Sequence, residues 1–407
     1  MIRCQLHRRM YKKCLLLFCL FFTRPALADI TVDMWDMNSL SRTPNIYPSA
    51  ETYGVNDLKA IFYEGRPWKG NPTRVFAYYG IPEGASSTNK VPAVVCVHGG
   101  GGTAFADWVR IWKNKGYAAI AIDTTGTVPK GSDPDWTRHN WSGPSNNWDQ
   151  NDIPLKDHWG YHAVADVILA NSLLRSMPEI DANNIGLTGI SWGGYVACIA
   201  AGVDNRFKFV IPVYGCGFLT ENSNFTELIN KYGKEKWLKF WDPSVYISKI
   251  NMPNLWITGT NDLYYHLPSF QKSYQSVQKK AVLTVRVRMW HDHPYGWNSP
   301  EIYAFADNVT KGKTGLAGIT NQGRSNNLVW VDYAEKDEAP VVAAELNYTT
   351  DSNEWWPDRY WNTITAQVDM VQKKATVLLP ENTTAYYFNL IDKRNLIISS
   401  SHIKISN

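Results

Sequence analysis

Cysteine is scarce in this 407-residue chain, and its placement excludes a disulfide scaffold. Three of the six, Cys4, Cys14 and Cys19, fall in the first 28 residues. Cys96, Cys198 and Cys216 flank predicted core strands or helices and read as buried thiols, with one disulfide plus a free thiol as the alternative in an exported protein. No spacing among them matches a zinc site. An excess of charge is also missing. The formal net charge is +4. Residues 1–28 carry six basic side chains and no acidic one, so the remainder stands at −2. Such a balance gives no footprint for a nucleic-acid partner. The apolar run from Cys14 to Phe22 is too short for a stable membrane span, and no repeat of solenoid or propeller period is present. A hydrophobic content of 44% against 19% charged residues excludes a disordered chain.

What is present begins with a segment that reads as an export signal. Arg3, Arg8, Arg9, Lys12 and Lys13 precede the apolar run, and Pro25-Ala26-Leu27-Ala28 resembles a cleavage site. Cleavage is expected after Ala28, giving a periplasmic or extracellular protein that starts at Asp29. An uncleaved anchor is the alternative. Residues 29–72 have no sustained periodicity and are expected to pack as a lead-in on a catalytic unit extending to 313.

From Thr73 onward, strands and helices alternate. Val91 to Val97 is a continuous apolar run, as expected of a strand covered on both faces. A helix over 104–115, the strand Tyr117 to Asp123, a helix over 161–176 and strands at 207–214, 253–259 and 281–289 follow, closed by a helix over 299–311. The pattern predicts an α/β fold with a mostly parallel sheet and helices on both faces. Beyond about Thr314 the chain shifts to short strands with period-two alternation, the mark of a small β-sandwich over 314–407.

The most informative stretch is Gly189-Ile190-Ser191-Trp192-Gly193 between a predicted strand and a predicted helix. Glycine is needed on both sides of the serine because the turn is strained and a Cβ there would collide with its neighbours. The hydroxyl is thereby raised at a helix N-terminus, where backbone N–H groups can receive negative charge. Ser191 is the expected nucleophile. His98-Gly99-Gly100-Gly101-Gly102 closes the buried strand at 91–97 and frees backbone N–H groups to face a ligand oxygen. The N–H groups of Gly100 and Trp192 are the expected oxyanion donors.

A serine hydroxyl needs a base oriented by an acid. Asp262 follows a predicted strand and is the expected acid, with a turn or capping role as the alternative. The base is His293 or His291. Inward alternation at Val285, Val287 and Met289, followed by a few loop residues, favours His293. No metal role is expected for the pair, since residues two apart on an extended segment face the same way and no further ligand cluster is evident. The triad supplies its own nucleophile and base, so no cofactor is expected.

Residues 91–312 resemble the α/β-hydrolase superfamily. The closer likeness is to exported prolyl-oligopeptidase-like, dienelactone-hydrolase-like and acetylxylan-esterase-like serine hydrolases. The residues that carry it are V-H-G-G-G-G at 97–102, G-Y-A-A-I-A-I-D at 116–123, G-L-T-G-I-S-W-G-G-Y at 186–195, T-G-T-N-D at 258–262 and H-D-H-P-Y-G-W at 291–297. The resemblance implies the chain order serine, aspartate, histidine on Ser191, Asp262 and His293 or His291. The chain before the first strand is too short for the propeller of prolyl oligopeptidases, which makes peptidase activity the lesser expectation.

The long polar segment 124–159 carries Trp136, Trp141 and Trp148 and would lie above the carboxyl ends of the strands, where ligands bind in such sheets. Aromatic faces there suit sugar rings, with pinning of the loop as the alternative role. The reading is a secreted serine carboxylic-ester hydrolase that works through an acyl-enzyme and is expected to deacylate a carbohydrate, its substrate a small-molecule or polysaccharide ester. A peptidase or lactone hydrolase on the same triad, or a silent glycan-binding protein, are the alternatives. Trp355-Trp356 and Tyr360-Trp361 read as packing rather than a sugar platform.

Overall fold

The computed structural model describes residues 34–132, 135–146 and 152–405. Residues 1–28, on which the export reading rests, and Trp148 lie outside them. No helix among the described residues is long and apolar enough to cross a membrane.

The strands of the main sheet are β1 (Ile46–Pro48), β2 (Lys59–Glu64), β3 (Arg74–Gly80), β4 (Val91–Val97) and β5 (Ala118–Ile122), with helix α1 (Ala106–Asn114) between the last two. A two-residue hairpin, β6 (Thr127–Val128) with β7 (Thr137–Arg138), interrupts the run. Helix α2 (Trp159–Ser176), β8 (Ile180–Ile190), helix α3 (Trp192–Val203), β9 (Phe209–Val213) and β10 (Leu255–Gly259) come next. Helix α4 (Leu267–Gln275), β11 (Val282–Arg286) and helix α5 (Pro300–Lys311) complete this part.

The sheet order is β1-β2-β3-β5-β4-β8-β9-β10-β11. Strands β5, β4, β8, β9, β10 and β11 pair in parallel, while β1, β2 and β3 join antiparallel at one edge. The lead-in thus differs from its expected role as a packed segment. It supplies β1 and β2 to the sheet, and its short strands escaped a periodicity test. Parallel strands buried on both faces need apolar residues throughout. Accordingly β4, β5, β9 and β10 are buried almost end to end. Cys96, Cys198 and Cys216 are free thiols within this core, and burial pushes each thiol pKa up.

The C-terminal part is antiparallel. Strands β12 (Gly318–Ser325), β13 (Leu328–Ala334), β14 (Val341–Thr349), β15 (Asn362–Asp369), β16 (Lys374–Leu378), β17 (Ala385–Asp392) and β18 (Ile397–Ser399) form the order β12-β13-β16-β15-β14-β17-β18, and β19 (Ile403–Lys404) pairs with β17. Strand β12 went unseen in the sequence because Gly-Ile-Thr-Asn-Gln-Gly-Arg-Ser offers no apolar alternation.

The two sheets meet at β11 and β18. Thr284 Oγ1 donates to Ile397 O (2.8 Å) and Val285 N donates to Ser399 Oγ (2.7 Å). Glu301 of α5 is fully buried and accepts from Arg286 Nη2 (2.7 and 2.8 Å) and from Ile397 N (2.8 Å). One carboxylate therefore ties helix, edge strand and C-terminal sheet. Truncating one partner of a buried charge pair leaves the other uncompensated. Glu301→Ala is expected to destabilise the chain by roughly 3 kcal/mol, read as a lowered urea midpoint. A change within about 0.5 kcal/mol, the range of ordinary surface substitutions, would contradict this account.

Candidate active site

The carboxyl ends of β4, β8, β10 and β11 converge on Ser191. Its backbone sits at φ 57°, ψ −117°, a conformation that L residues seldom adopt. The flanking glycines are explained by distance. A Cβ on Gly189 would lie 2.0 Å from Gly193 O, and one on Gly193 would lie 1.9 Å from Val97 O. The turn is held by Ser191 N donating to Val213 O (2.8 Å) and by Tyr195 N donating to Ser191 O (2.9 Å).

The serine hydroxyl meets His291. His291 Nε2 lies 2.8 Å from Ser191 Oγ, and Nδ1 lies 2.7 Å from Asp262 Oδ2. With Nδ1–H donated to the carboxylate, Nε2 is left to accept the serine proton. Asp262 is buried, and its other oxygen accepts from Tyr264 N (2.9 Å) and Tyr265 N (2.8 Å). The imidazole is walled by Tyr214 and Tyr264, with ring centroids 4.6 and 4.8 Å away. Tyr214 Oη donates to Trp290 O (2.9 Å), which fixes the residue before the base.

His293, favoured by the sequence as the base, makes a different bond. Its Nε2 accepts from Gly99 N at 2.8 Å, and its ring packs against Phe105 (4.5 Å) and Trp297 (6.0 Å). The error lies in where β11 ends. Alternation through Val287 and Met289 suggests a longer strand, but pairing stops at Arg286 and Arg288 takes φ 53°. The chain therefore turns early, and His291 is the residue carried over the serine. Asp292 then caps a short helix, His293–Trp297, by accepting from Tyr295 N (2.7 Å).

The glycine loop lies where expected. A Cβ on Gly99 would come within 3.0 Å of Ser191 Cβ, and one on Gly100 within 2.8 Å of the Trp192 indole. Two histidines grip Gly99. His293 takes its N–H, and His98 Nδ1 lies 2.7 Å from its carbonyl oxygen while His98 Nε2 accepts from Thr124 N (3.0 Å). The Gly99 carbonyl and the Gly100 N–H belong to one planar trans peptide. Holding the first therefore sets the direction of the second. His98 was read in the sequence only as the start of the loop, and no residue pattern marked its clamping bond.

The tryptophans of the long loop divide. Trp136 Nε1 donates to Gly101 O (2.8 Å), which joins the loop to the glycine turn. Trp141 lies against the Arg74 guanidinium (4.2 Å), and its carbonyl accepts from Arg74 N (2.9 Å). This cation–π contact pins the loop to the start of β3. Tyr214, Tyr264 and Phe225, whose ring stacks on Tyr264 at 6.0 Å, were missed. They are spread over two loops, so spacing gave no signal.

Among the described residues no cluster of three or more His, Cys, Asp or Glu side chains could hold a metal ion. His291 and His293 point to separate partners.

The chain is similar in sequence and in fold to known proteins. The family model described as "Acetyl xylan esterase (AXE1)" matches residues 57–256. Among solved structures, the acetyl xylan esterase from Paenibacillus sp. R4 superposes with a TM-score of 0.56 at 20% identity, covering 70% of this chain and 96% of that one. The chain has the fold of the α/β-hydrolases. Acetyl Xylan Esterase 1 from Thermoanaerobacterium sp. JW/SL YS485 gives a TM-score of 0.52 at 18% identity, over 68% of this chain and 93% of that one. In sequence, the chain is 25% identical over 296 residues to "Probable dipeptidyl-peptidase 5" of Aspergillus clavatus. The match covers 64% of this chain and 38% of the relative, so the chain spans well under half the length of the curated relative.

Burial also makes the site's surroundings sensitive to acid. Burial holds the His293 pKa down to about 3, with His98 and His291 adding to the effect, and burial beside Arg359 holds His402 at about 3. An unfolded imidazole takes a proton near pH 6.5, which these folded rings refuse. Their contribution is therefore whole above pH 6.5 and is lost as the pH falls toward 3, by up to about 1.4 kcal/mol per pH unit for each ring. Urea midpoints are expected to fall between pH 6.5 and 5, with a shallower slope in His402→Gln. A flat profile in the parent would contradict the burial argument.

Proposed function

We propose that the chain is a serine carboxylic-ester hydrolase whose nucleophile, base and acid are Ser191, His291 and Asp262. The observation that carries the reading is the continuous bonding from Asp262 through His291 to Ser191, set beside a glycine loop so close that a Cβ on Gly99 would lie 3.0 Å from the serine Cβ. His291 takes the hydroxyl proton as Ser191 Oγ bonds to the ester carbonyl carbon. The carbonyl oxygen gains the negative charge and is received by the N–H groups of Gly100 and Trp192. Collapse breaks the bond to the alcohol oxygen, which leaves with the proton from His291. Water then repeats the sequence on the acyl-enzyme and releases the acid.

An acylated saccharide is the proposed substrate, supported by the acetyl xylan esterase family match. The similarity to dipeptidyl peptidases supports a second reading, peptide hydrolysis on the same three residues.

Acetate release from p-nitrophenyl acetate and from acetylated xylan, with a dipeptidyl p-nitroanilide as the rival substrate, tests both. Ser191→Ala and His291→Ala are each expected to lower turnover by roughly 10⁴-fold or more. His293→Ala removes only a bond that steadies the oxyanion loop, so it is expected to cost at most about a hundredfold. The reverse ranking of the two histidines would overturn the assignment, and turnover of the anilide alone would establish the peptidase.

We also propose export, on the strength of the basic and apolar run before Ala28. Edman sequencing of the protein from the culture or periplasm is expected to begin at Asp29. An intact Met1 would refute it.

A further inference from the structure

Beside the triad lies a second feature, built by the C-terminal sheet. The segment between β14 and β15 reads Asn353-Glu354-Trp355-Trp356-Pro357-Asp358-Arg359-Tyr360-Trp361. Its four large rings are sorted by exposure. Trp356 and Trp361 are 2% and 3% exposed and join the core of the main sheet, with Trp356 against His402 (5.0 Å) and Trp361 against Tyr387 (5.5 Å). Trp355 and Tyr360 are 40% and 60% exposed.

The exposed pair is fixed in place. Arg359 is buried, lies 4.0 Å over the Trp356 ring and donates from Nε to Asn353 O (2.7 Å). Asn261 Nδ2 donates to Pro357 O (2.6 Å) and Arg359 O (2.8 Å). Asn261 is the residue before the acid Asp262, so the segment is bolted to the acid loop. Trp355 stands edge-on to His266 of that loop at 4.4 Å. Tyr360 lies under the Arg288 guanidinium at 4.1 Å, and Arg288 opens the turn that carries Trp290 and His291. Trp290, next to the base, is 71% exposed. The rings therefore flank the two loops that deliver acid and base, at the carboxyl edge of the sheet.

We infer that Trp355 and Tyr360, with Trp290, form a platform for the sugar chain of a neutral polysaccharide beside the active site. This deepens the saccharide-ester reading, on which its link to catalysis rests. Flat ring faces stack on the C–H faces of pyranose units and need no deep pocket. Rings held rigidly before binding lose little freedom on contact. A peptide strand would need backbone partners, whereas the carbonyls of Pro357 and Arg359 are already taken by Asn261. Exposed aromatic patches of this kind mark interaction sites.

The test is native electrophoresis of the whole protein through gels containing soluble xylan, glucomannan or mixed-linkage β-glucan, which needs no turnover. The parent is expected to be retarded by at least one of them. Trp355→Ala/Tyr360→Ala should lose about tenfold or more of that affinity, the order expected when two stacking contacts are removed. Its turnover of p-nitrophenyl acetate should be unchanged, and its KM for the acetylated form of the retarding glycan should rise with kcat unchanged. A parent retarded by none of the three overturns the platform, as does a double variant that keeps its retardation, with circular dichroism confirming that both are folded. Retardation lost in the variant while the parent leaves p-nitrophenyl acetate intact would uphold the platform and remove the esterase reading.

Discussion

The structure depends on one close approach, that of the α3 N-terminus to the end of β4. With 1.9 Å between a hypothetical Gly193 Cβ and Val97 O, helix and strand touch through backbone alone. That contact forces the turn at Ser191 into a positive-φ conformation whose cost is of order 1–3 kcal/mol. The cost is offset by the buried sheet on which the turn is clamped, through Ser191 N and Val213 O. What results is a hydroxyl standing clear of the sheet, with a helix N-terminus beneath it and room for a loop above.

The loop above is controlled by the same economy of backbone contact. Gly99 is gripped at its N–H by His293 and at its carbonyl by His98, and planarity passes that restraint to the Gly100 N–H. An oxyanion donor is useful only if it points before charge develops. Two neighbouring histidines thus divide the labour. His291 faces the serine and must accept a proton, while burial keeps His293 an uncharged acceptor for a backbone amide.

Most of the sheet and the serine were legible in the sequence because buried parallel strands are apolar throughout and the elbow demands glycine. The acid was legible because Thr258-Gly259-Thr260-Asn261-Asp262 sits at a strand end. What failed were features decided by a single dihedral or by contacts across the fold. The positive φ at Arg288 ends β11 early and exchanges His293 for His291. The polar β12 forms because β13 pairs with it. Tyr264 and Tyr214 reach the base only after three loops have been brought together. Trp355 and Tyr360 could not be told from Trp356 and Trp361 by composition, since only packing sorts which ring of each pair is buried.

The C-terminal sheet is then best understood through its anchors. An appended module joined by a loose linker would leave its rings at variable distance from the serine. Here Glu301 bonds both Arg286 of β11 and Ile397 of β18, and Asn261 bonds the segment that bears Trp355 and Tyr360. Both anchors act on residues within a few positions of the acid or at the end of the strand that leads to the base. The same bonds that hold the sheet in place therefore hold the loops of Asp262 and His291. Any movement of the aromatic segment must be accompanied by movement of the acid loop, so the geometry of the site and the position of the rings are set together.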